Sequence, residues 1–116
     1  MSDLQGQIWM DGSFCDWKKA KIHILTHTMH YGTGVFEGVR AYETEIGPAI
    51  FRLEDHTDRL FESANLVGMN IPFTKDQLMQ AQCDSVIKNN LTNAYIRPPR
   101  FHGSAGMGLS ADTPPA

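Results

Sequence analysis

The stretch "VFEGVRAYETEIGPAIFRL", residues 35–53, decides the fold. Its first half alternates, with Phe36, Gly38, Arg40 and Tyr42 on one face and Val35, Glu37, Val39 and Ala41 on the other. "TEIGP" reads as a turn containing Gly47-Pro48, and "AIFRL" as the antiparallel partner strand. From Glu54 onward the apolar period changes to three and four. Leu60, Phe61, Ala64 and Val67 form a stripe that predicts a helix to about Val67, with Gly68 placed to end it.

The elements on either side follow from local signals. Thr74 and Gln77 form a capping box that opens a second helix running to about Lys88. Its buried set is read as Leu78, Met79, Val86, Ile87 and part of Gln82, and Asn89-Asn90 supplies the stop. "AYIRPPRFHG" returns to strand, which Pro98 and Pro99 confine to an edge or a strand end. Upstream, "QIWMDGSFCDW" alternates around Asp11-Gly12, a two-residue hairpin signal. "KIHILTHTMH" is rich in β-branched residues, which favours an extended segment. Strands, two helices and a further strand make an α+β pattern, an antiparallel sheet with two helices packed on one face.

A chain of 116 residues suffices for one domain with a core and not for two. A net charge of −3, with Lys18-Lys19-Ala20-Lys21 as the longest basic run, gives no case for a nucleic-acid partner. No segment approaches a membrane span, and the N-terminus lacks the apolar run of a secretory signal. Cys15 and Cys83 do not make a disulfide framework. The expectation is a reduced, cytoplasmic protein with no membrane partner. The end, "GSAGMGLSADTPPA", reads as loop, as in a piece of a longer protein.

Several groups could carry chemistry. His23, His27 and His30 would align on one helical face as a metal site, but the extended reading of their segment turns His30 away from the other two. Gly32-Thr33-Gly34 with Gly38 misses the dinucleotide-loop spacing by one residue and precedes a strand where that loop needs a helix. Arg59 lies beside a buried stripe with its guanidinium free, suited to a phosphate. Spacing alone favours instead a surface pair with Asp55, four residues earlier. Tyr95 and Arg97 share a strand face and could receive a carboxylate, or simply form a half-exposed face.

Taken together and in order, "HYGTGVFEGVRAYE", "FRLEDHTDRLFESA" and "NAYIRPPRFHGSAGMGL" resemble the branched-chain amino acid aminotransferases, pyridoxal-phosphate enzymes of fold type IV. The resemblance runs from about Ile8 to Leu109, with Pro99 and Arg100 standing where the pattern suggests more apolar residues. It implies the small N-terminal domain of that fold, over residues 1–116. By resemblance Arg59 holds the phosphate of pyridoxal 5'-phosphate, Phe36 lines the substrate pocket and Gly38 leaves room beside it. Tyr95 contacts the α-carboxylate, and Arg97 receives the side-chain carboxylate when glutamate is the donor. Tyr31 and the loop around Leu109 reach the pocket of a partner subunit, which implies a homo-oligomer built on dimers. The substrates implied are leucine, isoleucine, valine and glutamate/2-oxoglutarate.

The aromatic and glycine-rich mixture of "HYGTGVFEGVR", residues 30–40, then has a purpose: aromatics shape a pocket and glycines let backbone approach substrate. A transaminase of this type also needs a lysine as Schiff base to the cofactor. Lys18, Lys19, Lys21, Lys75 and Lys88 lie in no motif resembling the catalytic one. The family carries that lysine in a second domain, so the chain is expected to be inactive alone. Other expectations stay open: a D-amino acid aminotransferase or aminodeoxychorismate lyase, which share parts of these motifs, a non-catalytic interaction module, or the three-histidine metal protein.

Overall fold

Two strands change sheets at the same level, and this crossing organises the molecule. The computed structural model describes residues 5–103. Within them the expected long strand over 35–43 is two: β3 (Gly34–Phe36) and β4 (Val39–Thr44). The later strand divides likewise into β6 (Ala94–Ile96) and β7 (Pro99–Phe101). β3 pairs with β7 as a two-stranded ribbon, Phe36 opposite Pro99. β4 lies between β5 (Gly47–Ile50) and β6 in a three-stranded sheet, Val39 opposite Ile96 and Tyr42 opposite Ala49. The residues between the paired halves, Glu37-Gly38 and Arg97-Pro98, meet through a bond from Glu37 N–H to Pro98 O (3.3 Å). Pro98 and Pro99 explain the break on one side, because neither can donate to a ladder.

All pairing is antiparallel, as the sequence implies, but the single expected sheet is three. The third is the N-terminal hairpin, β1 (Gln7–Met10) with β2 (Ser13–Asp16), joined through Asp11 and Gly12 at positive φ. The β4–β5 turn falls on Glu45-Ile46, so Gly47-Pro48, expected in the turn, begins the strand.

Both long helices form where expected, α2 at Leu53–Leu66 and α3 at Lys75–Lys88. Each ends in the same motif. Gly68 at φ +74 follows α2, with Met69 N–H on Ala64 O (2.8 Å) and Gly68 N–H on Asn65 O (3.1 Å). After α3, Asn90 at φ +53 plays the glycine's part, with Leu91 N–H on Val86 O and Asn90 N–H on Ile87 O (3.1 Å each). The capping box at Thr74 is complete in both directions (3.1 and 2.8 Å). Thr74→Ala therefore costs about 1 kcal/mol of stability, read from the midpoint of urea unfolding.

The core is Val39 and Ala41 of the sheet, Leu60 and Ala64 of α2, Met69, and Leu78, Ala81 and Val86 of α3. Val67 and Ile87, expected in that core, are 46% and 65% exposed: Val67 follows the last residue of α2, and Ile87 faces away from the side on which Val86 is buried. Gln82 is buried and donates to Thr57 Oγ1 and Leu78 O (3.1 Å each), linking the helices. Asn89 closes α3 and holds β1 as a strand would: its Nδ2 donates to Gln7 O (2.9 Å) and its Oδ1 accepts from Gln7 N–H (2.7 Å).

"KIHILTHTMH" departs most from expectation. Residues 21–26 form no strand, and a short helix α1 (His27–Tyr31) follows. The cause is tertiary: His27 N–H bonds Gly103 O (3.2 Å) and Thr28 N–H bonds His102 O (3.4 Å), satisfying donors that a helix start leaves free. Gly32 at φ +76 then terminates it, with its N–H on Thr28 O (2.8 Å). The glycines read against a phosphate loop thus end a helix and open β3.

His102 sits at this junction with its ring 4.9 Å from that of His27. Burial, and then the charges of His27 and Arg100, push its imidazole below the ordinary value. A histidine depressed in the folded state takes up its proton more readily when unfolded. Its contribution is complete above the ordinary range near 6.5 and is lost as pH falls through that value. Wild type is therefore expected to lose melting temperature between about pH 7.5 and pH 5.5, the ordinary histidine range, and His102→Asn to flatten that fall.

Candidate functional site

Four of the residues singled out in the sequence meet at the crossing. Tyr95 of β6 lies against Gly38: a Cβ at Gly38 would stand 2.7 Å from the Tyr95 hydroxyl and 3.3 Å from its ring. Any side chain there would make the Tyr95 ring shift, so the glycine sets where the phenol lies. Arg97, two residues on, sends Nη2 to the Tyr95 hydroxyl (3.2 Å) and lays its guanidinium over the Phe36 ring, 4.7 Å from the centroid. Arg40 approaches the Tyr95 ring at 5.8 Å. Phe36 and Tyr95 remain 56% and 50% exposed, so this is an open shelf with an apolar wall, a phenol and a guanidinium.

The fifth residue, Arg59, lies in the middle of α2 and is tied to the crossing through Glu37. Its partner is not Asp55, which pairs with Arg52 (2.8 Å). Arg59 Nε and Nη2 donate to Glu37 Oε2 and Oε1 at 2.8 and 2.7 Å. His56 Nδ1 lies 2.8 Å from Glu37 Oε1, which it serves as a donor. Glu37 is 6% exposed, and the Arg59 side chain is 62% exposed. The carboxyl is held below its ordinary range chiefly by the hydrogen bond from Arg59, against the opposing effect of burial and with help from His56. Glu37 and His56 were not singled out in the sequence. The signal was present, because Glu37 falls on the face of Val35, Val39 and Ala41, where a carboxylate needs partners.

The remaining expected residues lie elsewhere. Tyr31 is on α1, its ring 4.5 Å from His27, in a separate group with His102. Leu109 lies outside the described residues. The three histidines do not converge: His23 accepts from Leu25 N–H (3.0 Å), His30 reaches Ile24 O (2.9 Å) and His27 lies against Tyr31 at a 44° tilt. Among the described residues no three His, Cys, Asp or Glu side chains are grouped as metal ligands. Lys75 is committed to Asp58 and Glu54 (2.8 Å each), which together hold its ammonium charged far above the ordinary range, Asp58 foremost. Lys88 lies over the Phe14 ring at 5.0 Å.

The crossing thus carries a guanidinium anchored on Glu37 and, separately, a shelf of aromatic, phenol and second guanidinium groups, donors of the kind that suit small anionic or zwitterionic ligands. The profile described as "Amino-transferase class IV" matches residues 34–116, and the chain belongs to that family. It is 57% identical over 111 residues to the branched-chain-amino-acid aminotransferase of Pseudomonas aeruginosa, covering 96% of this chain and 36% of that protein. With the enzyme of that name from Escherichia coli (strain K12) identity is 46%, over 94% of this chain and 34% of the relative. The chain thus spans about a third of the length of these relatives. Among solved structures, it superimposes on a T.th. branched-chain amino acid aminotransferase complexed with N-(5'-phosphopyridoxyl)-L-glutamate with a TM-score of 0.90 and 44% identity. That match covers 95% of this chain and 38% of the other. An Escherichia coli branched-chain amino acid aminotransferase gives 0.88 at 44% identity, over 97% of this chain and 36% of that one. Among the described residues no helix is long and apolar enough to cross a membrane.

Proposed function

We propose that this chain is the N-terminal, cofactor-phosphate and substrate-pocket part of a cytoplasmic pyridoxal-phosphate transaminase. The parent enzyme moves the amino group between leucine, isoleucine or valine and 2-oxoglutarate. The observation that carries the reading is the crossing, which joins the Glu37-anchored Arg59 to the strands that bear the Phe36–Tyr95–Arg97 shelf. The residues fit the cofactor's phosphate. Two of the five N–H donors of the Arg59 guanidinium are used by Glu37, and the rest of this largely exposed group is available to an anion. When bound, pyridoxal phosphate supplies the electron sink for the amino-group transfer.

The chain's own residues then divide the work. Arg59 grips the phosphate and fixes the ring's position. Phe36 offers an apolar face to a branched side chain. When glutamate or 2-oxoglutarate enters, the Arg97 guanidinium over that face meets the distal carboxylate. Tyr95, pressed on Gly38, presents its hydroxyl to the α-carboxylate. Tyr31 and Leu109 serve the pocket of a neighbouring subunit in a homo-oligomer built on dimers.

The test is borohydride reduction of the full-length protein with pyridoxal phosphate, followed by mass mapping. One stoichiometric adduct on a lysine outside these 116 residues is expected. Scattered labelling of Lys18, Lys19, Lys21, Lys75 and Lys88 overturns the reading. The 116-residue chain alone should show no transaminase turnover. In the full-length enzyme Gly38→Ala must displace Tyr95, so KM for leucine should rise about tenfold, the loss of one charged hydrogen bond. Steady-state kinetics at saturating cofactor check this.

A further inference from the structure

We infer that Glu37, backed by His56, is the positioning pair that aims Arg59 at the cofactor phosphate, an inference that rests on the reading above. An arginine projecting from the middle of a helix with most of its side chain in solvent is ordinarily free to move among rotamers. Arg59 is not. Its Nε and Nη2 form a fork on both oxygens of a carboxylate that is itself 6% exposed. That fork consumes one edge of the planar guanidinium and leaves the Nη1–Nη2 edge for a second anion, in a direction set by the first.

Glu37 is fixed in turn from two sides. Its backbone N–H is bonded to Pro98 O at the crossing of the two sheets, and Oε1 receives His56 Nδ1 as well as Arg59. His56 and Arg59 are three residues apart on α2 and so share a face. The carboxylate therefore cannot turn without breaking a bond to its own helix partner. Aim passes from the sheet crossing through Glu37 to the guanidinium.

Positioning and simple charge give opposite expectations. Glu37 is an anion near an anion-binding group. If charge alone mattered, replacing it with a neutral residue would tighten phosphate binding. If it aims Arg59, the same replacement weakens it. The measurement is made on the full-length apoenzyme at about 0.15 M salt, where distant charges are screened. Dissociation constants are determined for pyridoxal phosphate and for pyridoxal, and their ratio isolates the grip on the phosphate. Glu37→Gln keeps the volume and should lower the ratio about tenfold, with affinity for pyridoxal unchanged. His56→Gln, which leaves the fork in place, should lower it about two- to threefold, less than one full charged hydrogen bond.

A ratio that is unchanged or raised in Glu37→Gln, while Arg59→Ala lowers it, overturns the inference and leaves the cofactor reading intact. A wild-type enzyme that does not distinguish pyridoxal phosphate from pyridoxal overturns both. Should Glu37→Gln fail to fold, His56→Gln decides: no change in its ratio overturns the inference.

Discussion

Arg59→Ala in the full-length enzyme raises the dissociation constant for pyridoxal phosphate by about a hundredfold, since a bidentate charged contact is worth two hydrogen bonds to an ion. Affinity for pyridoxal changes little, because only the phosphate contact is lost. The substitution has a second consequence. Glu37 loses the donor that contributes most to holding it ionised. In wild type the depressed carboxyl contributes stability that is complete above the ordinary carboxylate range and is lost only as pH falls through its lowered folded value. Without Arg59 the folded value rises, and acid unfolding begins at higher pH. Titration by absorbance and melting curves from pH 7 to pH 3 check the two parts separately. Equal losses of pyridoxal and pyridoxal-phosphate affinity would remove Arg59 from the phosphate.

Arg97→Leu separates the two substrates. KM for 2-oxoglutarate rises about a hundredfold or more, the order expected when an ionised distal carboxylate loses a bidentate partner. KM for the substrate leucine moves by no more than about fivefold, because the substituted side chain gives up only an exposed cation–π contact over Phe36, worth about 0.5–1 kcal/mol. Half-reactions measured separately with leucine and with 2-oxoglutarate report the split. Losses of similar size in both would place Arg97 in the structure of the shelf and not in substrate choice.

Features set by a few neighbouring residues could be read from the sequence. Asp11-Gly12, Thr74 with Gln77, Gly68 and Asn89-Asn90 each fix backbone geometry through neighbours within five positions, and each appears where it was read. Apart from the turn that falls on Glu45-Ile46 and not on Gly47-Pro48, the misses in secondary structure are non-local. The alternation from Val35 to Glu43 runs on without interruption in the sequence, yet the strand divides because its partners at one level are β7 and at the next β6. His27–Tyr31 is helical because residues 102 and 103, more than seventy positions away, accept its first N–H groups. In the candidate site, Phe36, Gly38, Tyr95 and Arg97 are brought together, while Arg59 takes a partner that spacing within its own helix did not name.

The crossing at Glu37-Gly38 and Arg97-Pro98 bears on how such a sequence can change over time. Side chains on a strand alternate, so the two faces hold their meaning only while the number of residues through the crossing is kept. One residue gained or lost between Phe36 and Val39 would turn Val39 and Ala41, 0% and 1% exposed, into solvent and bring Arg40 and Tyr42 inward. The companion strand crosses beside it, so only a matching change there could restore the pairing. A change of length is therefore costlier through the crossing than beyond the helix ends, where no strand register depends on it.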